Sequence, residues 1–199
     1  METKNQYKPA QFSLRMHEIE RIIMSTKTMR DRMIVESLYF PALRREEVSL
    51  LQVPHIDFER GRLVLDHTVA KGGKISPIPV GSVFPQYLTN LKHFLGGRRT
   101  GYVFMSNRGR NLDVSGINRI LEAITKATGM RNPNPNRKYI NPHIFRHSLA
   151  RHLKSLGFRV EFIQNYMRHS SFKTTMDVYG TLSLDEMEKY ALDKRSLLT

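Results

Sequence analysis

Residues 141–180 read NPHIFRHSLARHLKSLGFRVEFIQNYMRHSSFKTTMDVYG, and no other stretch constrains the fold so tightly. His143 and Arg146 stand three apart, so a helix would carry both on one face. Ile144, Leu149, Leu153 and Leu156 form an adjoining apolar stripe that can seat such a helix on a core. A polar pair held at the edge of a packed surface is where a rigid site can be built. Val160, Ile163 and Tyr166 then mark a shorter helix ending near His169, which sits in an Arg-His-Ser-Ser turn. Tyr179 stands ten residues further on.

Upstream, the pattern is mostly helical. Residues 1–11 are polar and read as loose. Phe12 and Ser13 open a first helix, with Ser13 as its cap and Leu14, Ile19, Ile22 and Ile23 as its stripe. A second helix over residues 28–39 turns Met29, Met33, Ile34 and Leu38 inward and stops at Pro41. Val48, Leu50 and Leu51 read as the buried side of a short helix. Residues 56–58 and 62–65 are β-rich, with Gly61 between them, and residues 70–80 outline a hairpin around Gly72-Gly73. Pro77 and Pro79 place its second strand at a sheet edge. A helix over residues 82–95 offers Val83, Phe84, Leu88, Leu91 and Phe94 to the core. Asp113 or Ser115 caps another, with Ile117, Ile120, Leu121 and Ile124 inward. A loop rich in Asn, Pro and basic residues covers 128–140, and Ser183 to Glu186 begins a final helix in capping-box fashion. The fold class is therefore α+β, mainly helical, with a small antiparallel sheet to one side.

The chain has 199 residues, enough for one domain with a real core. Its formal net charge is +14, which points to a polyanion, with nucleic acid foremost. There is no cysteine, so disulfides, thiolate zinc sites and Cys nucleophiles are excluded. No long apolar run or signal peptide is visible, so the expected location is the cytoplasm, with no membrane partner. His143 and His147 are four apart, as zinc ligands on a helix can be, but no carboxylate lies between them and Arg146 would repel a cation. No metal or other cofactor is expected.

The motifs resemble those of the tyrosine recombinase (phage integrase) family, over roughly residues 12–190. Pro142 to Ala150 resembles its PHxxRHxxA box, and His169 with Thr174-Thr175 and Tyr179 resembles the following GHxxxxTT turn and tyrosine. Arg168 stands where the family usually has glycine, so the turn before His169 is expected to be shaped differently. Ala42-Leu43-Arg44-Arg45-Glu46-Glu47-Val48 resembles the family's Gly-Leu-Arg-x-x-Glu-Leu motif, with Ala for Gly. Arg44 takes the catalytic slot because a Glu follows it at the third residue, and Arg45 is its competitor. Glu47 is expected to pair with an arginine or cap its own helix. Lys71 matches the first lysine of the family's GKGxK hairpin and Lys74 the second.

The resemblance implies the tyrosine recombinase catalytic-domain fold and a set of roles. Arg44 and Arg146 would clamp a phosphate, since an arginine fork stays charged and matches two oxygens. Tyr179 would attack phosphorus, and His143 would take its proton. His169 would donate to the phosphate and Lys71 would protonate the leaving 5′ oxygen. Lys74, Arg98, Arg99, Arg131, Arg137, Lys138 and His147 are candidate DNA contacts. His152, Tyr166 and Tyr190 read as surface or packing residues. The expected activity is site-specific DNA recombination through a 3′-phosphotyrosine. A DNA-binding module with the same fold, and a type IB topoisomerase-like enzyme, are the alternatives. The partners implied are double-stranded DNA and further copies of the chain, a tetramer on two sites, with residues 183–199 exchanged between protomers. Residues 1–199 read as one catalytic domain without the family's N-terminal DNA-clamping domain.

Overall fold

The structure is a computed structural model that describes residues 12–66, 68–69 and 75–168. Lys71, Lys74, His169, Tyr179 and Tyr190 lie outside the described residues, as do the residues of the expected loose start, the expected Gly72-Gly73 turn and the expected final helix.

Among the described residues the first helices are α1 (Met16–Met24), α2 (Met29–Tyr39) and α3 (Arg45–Leu50). Strands β1 (Ile56–Asp57), β2 (Arg62–Leu65) and β3 (Ser76–Ile78) follow, then α4 (Val80–Val83), α5 (Pro85–Leu95), α6 (Val114–Thr128), α7 (Pro142–Ser155) and α8 (Val160–Tyr166). The strands form one antiparallel sheet in the order β1-β2-β3, with Leu63 facing Ile56 and Ile78. The proline-bearing strand is at the edge, where a missing N–H breaks no interior ladder.

α2 runs through the centre, packed on α1, α3, α5 and α7. Seven consecutive residues of it, Met33 to Tyr39, are buried, so even its polar side chains need internal partners. Glu36 takes Arg32 Nε at 2.7 Å and the Asn90 amide at 3.1 Å, and Ser37 bonds the Tyr87 hydroxyl at 2.9 Å. Thr28 caps α2 by accepting from Asp31 N at 3.1 Å.

Four local expectations are corrected. The cap of α1 is Arg15, because Leu14 N donates to Ser148 Oγ of α7 at 2.8 Å and holds the chain extended past Ser13. Met29 is exposed, since the first turn of α2 projects beyond its neighbours. The helix expected over residues 82–95 is two helices, broken at Phe84 because Pro85 cannot continue the first. Leu156, placed on the inward stripe of α7, is 60% exposed, because α7 ends at Ser155 and Gly157 turns the chain away in the left-handed conformation.

Candidate active site

Pro41 ends α2, and the chain then doubles back through Ala42 at φ +49°. This left-handed conformation costs a non-glycine residue roughly 1–2 kcal/mol. Leu43 N returns to Ser37 O at 3.1 Å, and Arg44, in extended backbone, starts α3. Glu47, three residues on, accepts Arg44 N at 2.8 Å through one oxygen and Arg44 Nη1 at 2.7 Å through the other. It therefore both caps its own helix and pairs with an arginine.

α7 brings Arg146 to the same place. Asn141 caps α7 by accepting from Ile144 N, and Pro142 takes the first helical position, where its missing N–H is not needed. Arg146 is 7% exposed; its Nη2 donates to Met167 O at 2.6 Å, and its buried Nη1 has no partner among the described residues. Burial, and then the guanidiniums of Arg168 and Arg44, push Arg146 down to about 9, against the pull of Glu47. It is still charged near neutral pH, and it has a donor to give.

The third approach is from α8. Its last turn ends with Arg168 at φ +53°. The turn expected to differ in shape from a glycine turn thus adopts the conformation glycine favours, with an arginine in it. Arg168 O accepts Arg44 Nη2 at 3.1 Å, and the Arg168 Nη2 donates to Glu47 Oε2 at 2.6 Å. Carbonyls left over at the end of α8 are thereby satisfied by guanidinium groups, which suit its partial negative charge. Burial raises the Glu47 carboxyl, but Arg168, the Arg44 N–H, and the charges of Arg44 and Arg146 outweigh it, and the net shift is downward. Three guanidiniums around one carboxylate leave a surplus of two positive charges, an arrangement suited to a phosphate. Sequence reasoning did not place Arg168 in this cluster; the signal was an arginine in a glycine slot.

His143 is exposed beside the cluster. Burial of part of its ring, then the charges of Arg146 and Arg45, hold it below its ordinary value, and Glu46 opposes them. His147, one turn on, is lowered from 6.5 to about 4 by burial, His143 and Arg146. Both imidazoles are neutral at pH 7. A lowered pKa in the folded state means that stability present above 6.5 is lost as pH falls towards 4. An NMR titration should find the His147 midpoint near 4 and that of His143 below 6.5; a His147 midpoint at 6.5 would contradict its burial. Arg45, the competitor of Arg44, holds Glu46 at 2.7 Å on the surface.

The described candidate DNA contacts differ in exposure. Arg98 turns inward, donating to Tyr102 O and Val103 O at 3.0 Å each over the Phe94 ring. Its fork is committed to the fold. Arg99, Arg131, Arg137 and Lys138 are exposed, and Lys138 sits with Lys126 at the Tyr139 ring. His152 bonds the Tyr39 hydroxyl at 2.7 Å, and Tyr166 is buried with its hydroxyl on Phe40 O at 3.0 Å. No three His, Asp or Glu side chains cluster as metal ligands among the described residues, and no described helix is long and apolar enough to cross a membrane.

Residues 13–184 match the model of the phage integrase family. The chain belongs to that family. This integrase-family chain is 32% identical to the tyrosine recombinase XerA of Pyrococcus furiosus, over 94% of its own length and 62% of the relative's. It is 30% identical to the tyrosine recombinase XerD of Listeria innocua, over 88% of this chain and 60% of the relative. The chain thus spans about three-fifths of the curated relatives it matches. The fold is that of tyrosine recombinase catalytic domains. The structure of the Tn1549 transposon integrase in complex with circular intermediate DNA superposes with a TM-score of 0.72 at 16% identity, covering 97% of this chain and 69% of that one. In this chain that fold is mainly helical with a three-stranded antiparallel sheet.

Proposed function

We propose that this chain is the catalytic domain of a site-specific DNA recombinase that cuts and rejoins strands through a covalent 3′-phosphotyrosine on Tyr179. The observation that carries the reading is the convergence of Arg44 and Arg146, a hundred residues apart in the chain, on the last turn of α8, directly before His169. Arg44 and Arg146 hold the non-bridging oxygens of the scissile phosphate, and the unpartnered Arg146 Nη1 has a hydrogen for one of them. His143, neutral near pH 7, takes the phenol proton as Tyr179 attacks phosphorus. The bond from phosphorus to the 5′ oxygen breaks, Lys71 protonates that oxygen, and His169 donates to the phosphate. A 5′ hydroxyl from another strand reverses each transfer, so the phosphotyrosine conserves the linkage energy and the cycle calls for neither metal nor nucleotide. Assembly as a tetramer on two DNA sites follows the same reading, with the basic loop of Arg131, Arg137 and Lys138 on the duplex backbone.

The test is covalent trapping. Wild-type protein incubated with a pool of nicked duplexes, from which a cleaved end diffuses away, should form a protein–DNA adduct that survives denaturation. Peptide mapping should place the nucleotide on Tyr179. An adduct on another side chain would remove Tyr179 from the role. Absence of any adduct beside tight DNA binding would favour a binding module with this fold.

A further inference from the structure

We infer that Arg168 is a positioning residue of the phosphate site, clasping the corner that aims Arg44. The inference rests on the recombinase reading for its catalytic consequence, and on geometry for the rest.

The corner between α2 and α3 has carbonyls that Pro41 and the reversal at Ala42 leave without helical partners. Side chains from the end of α8 satisfy three in succession. Tyr166 Oη donates to Phe40 O at 3.0 Å, Arg168 Nη1 to Pro41 O at 3.3 Å, and Arg168 Nη2 to Ala42 O at 3.2 Å. Arg168 Nη2 also donates to Glu47 Oε2 at 2.6 Å, the oxygen that accepts Arg44 N, and Nη1 reaches Tyr166 O at 3.4 Å. The guanidinium is almost wholly buried. One side chain therefore ties the corner, the carboxylate that holds Arg44, and the turn before His169 into a single unit.

The same unit contains two departures from the motifs that the chain resembles: Ala42 and Arg168 each stand where glycine is usual. Both adopt left-handed backbone, at φ +49° and +53°, and the Arg168 side chain bonds the Ala42 carbonyl. A strained conformation persists where its surroundings over-determine it, and here the over-determining group is the Arg168 fork. It also competes for Glu47. Without it, Glu47 would be shared only between its own helix end and Arg44, and Arg44 would be drawn further back along α3, away from the place where it faces Arg146. Lysine is a poor substitute, because its three donors sit on one nitrogen whereas these contacts are divided between the two terminal nitrogens of a planar fork.

The experiment compares wild type, Arg168→Lys and Arg168→Gly, the last carrying the residue usual in the family. Two quantities are read: single-turnover adduct formation against DNA affinity, and the Nε–Hε NMR signals of Arg44 and Arg146 in the free protein. Arg168→Gly should lose roughly 10- to 100-fold in adduct formation, the order expected of a misplacement near 1 Å, with DNA affinity within about threefold. Arg168→Lys should recover little. Adding Ala42→Gly to Arg168→Gly should restore much of the loss, because a glycine corner needs no clasp. The Arg44 signal should shift or broaden in Arg168→Gly and that of Arg146 should move less. Wild-type rates in Arg168→Gly, full recovery by lysine, or an unchanged Arg44 signal would overturn the inference. If the wild type itself forms no adduct, the recombinase reading fails on its own, and the Arg44 signal still decides whether Arg168 positions it.

Discussion

Replacing Arg146 with methionine should lower strand cleavage by a factor on the order of 10²–10³, the loss seen when one preorganised donor is removed from a developing charge. The free protein should stay as stable as before, or gain stability. Arg146 is buried, its Nη1 is unpartnered, and burial and two neighbouring guanidiniums push it to about 9. A base whose folded value lies below its unfolded one has its charge working against folding at neutral pH. Against this stands one charged hydrogen bond to Met167 O at 2.6 Å, worth about 1.5–3 kcal/mol. An unbranched apolar side chain of similar reach removes the charge and fills the space. The check is single-turnover cleavage beside a thermal melt. Cleavage within tenfold of wild type would take Arg146 off the phosphate. A fall in Tm beyond about 3 °C, about 1 kcal/mol at this size, would mean that the Met167 bond outweighs the buried charge. The expected pairing of lost chemistry with retained stability marks a group present for function.

Glu47→Ala should instead cost stability. Glu47 is 1% exposed and answers three guanidiniums. Removing it leaves Arg44, Arg146 and Arg168 close together with no carboxylate between them, and breaking a buried pair in this way costs about 3–5 kcal/mol. At this size that lowers Tm by roughly 6–20 °C. Glu47→Gln should lose less, since the amide oxygen still accepts Arg44 N. The pH dependence has a definite sign. The folded carboxyl is lowered, so its contribution is full above its unfolded value, about 4.3, and fades as pH falls through the folded one. The gap in Tm between wild type and Glu47→Ala should therefore be wide at pH 7 and narrow progressively in acid, below the ordinary range of a glutamate carboxyl. A gap that persists unchanged in acid would mean that Glu47 stabilises by packing and capping rather than by charge.

Much of this was legible before any coordinates. Asp113, one of the two caps read for α6, does cap it, because a short side-chain oxygen beside a free N–H is a local matter. The amphipathic stripes of α6 and α7, the turn at Gly61 between β1 and β2, and the edge position of the proline-bearing β3 were readable because each rests on local spacing. Errors arose where a neighbour distant in sequence took over: Ser148 of α7 pulled the start of α1 two residues on, and α7 ended one residue before Leu156 could turn inward. Arg98 shows the limit most plainly. Its neighbour Arg99 is exposed, its own fork closes on Tyr102 and Val103, and nothing in the string GGRR distinguishes the two.

By itself, the order of residues determined the helical framework, the edge sheet, the absence of thiol chemistry and the family, because each rests on spacing along the chain or on the identity of a residue. Only the tertiary structure decided which arginines meet. Arg44, Arg146 and Arg168 converge because Pro41 ends α2 and α8 ends beneath that corner, so that unpaired carbonyls and one buried carboxylate draw three guanidiniums together. Hydrogen-bond satisfaction in a buried space is a property of the whole packed molecule, and it turned an arginine in a glycine position into the clasp of the site.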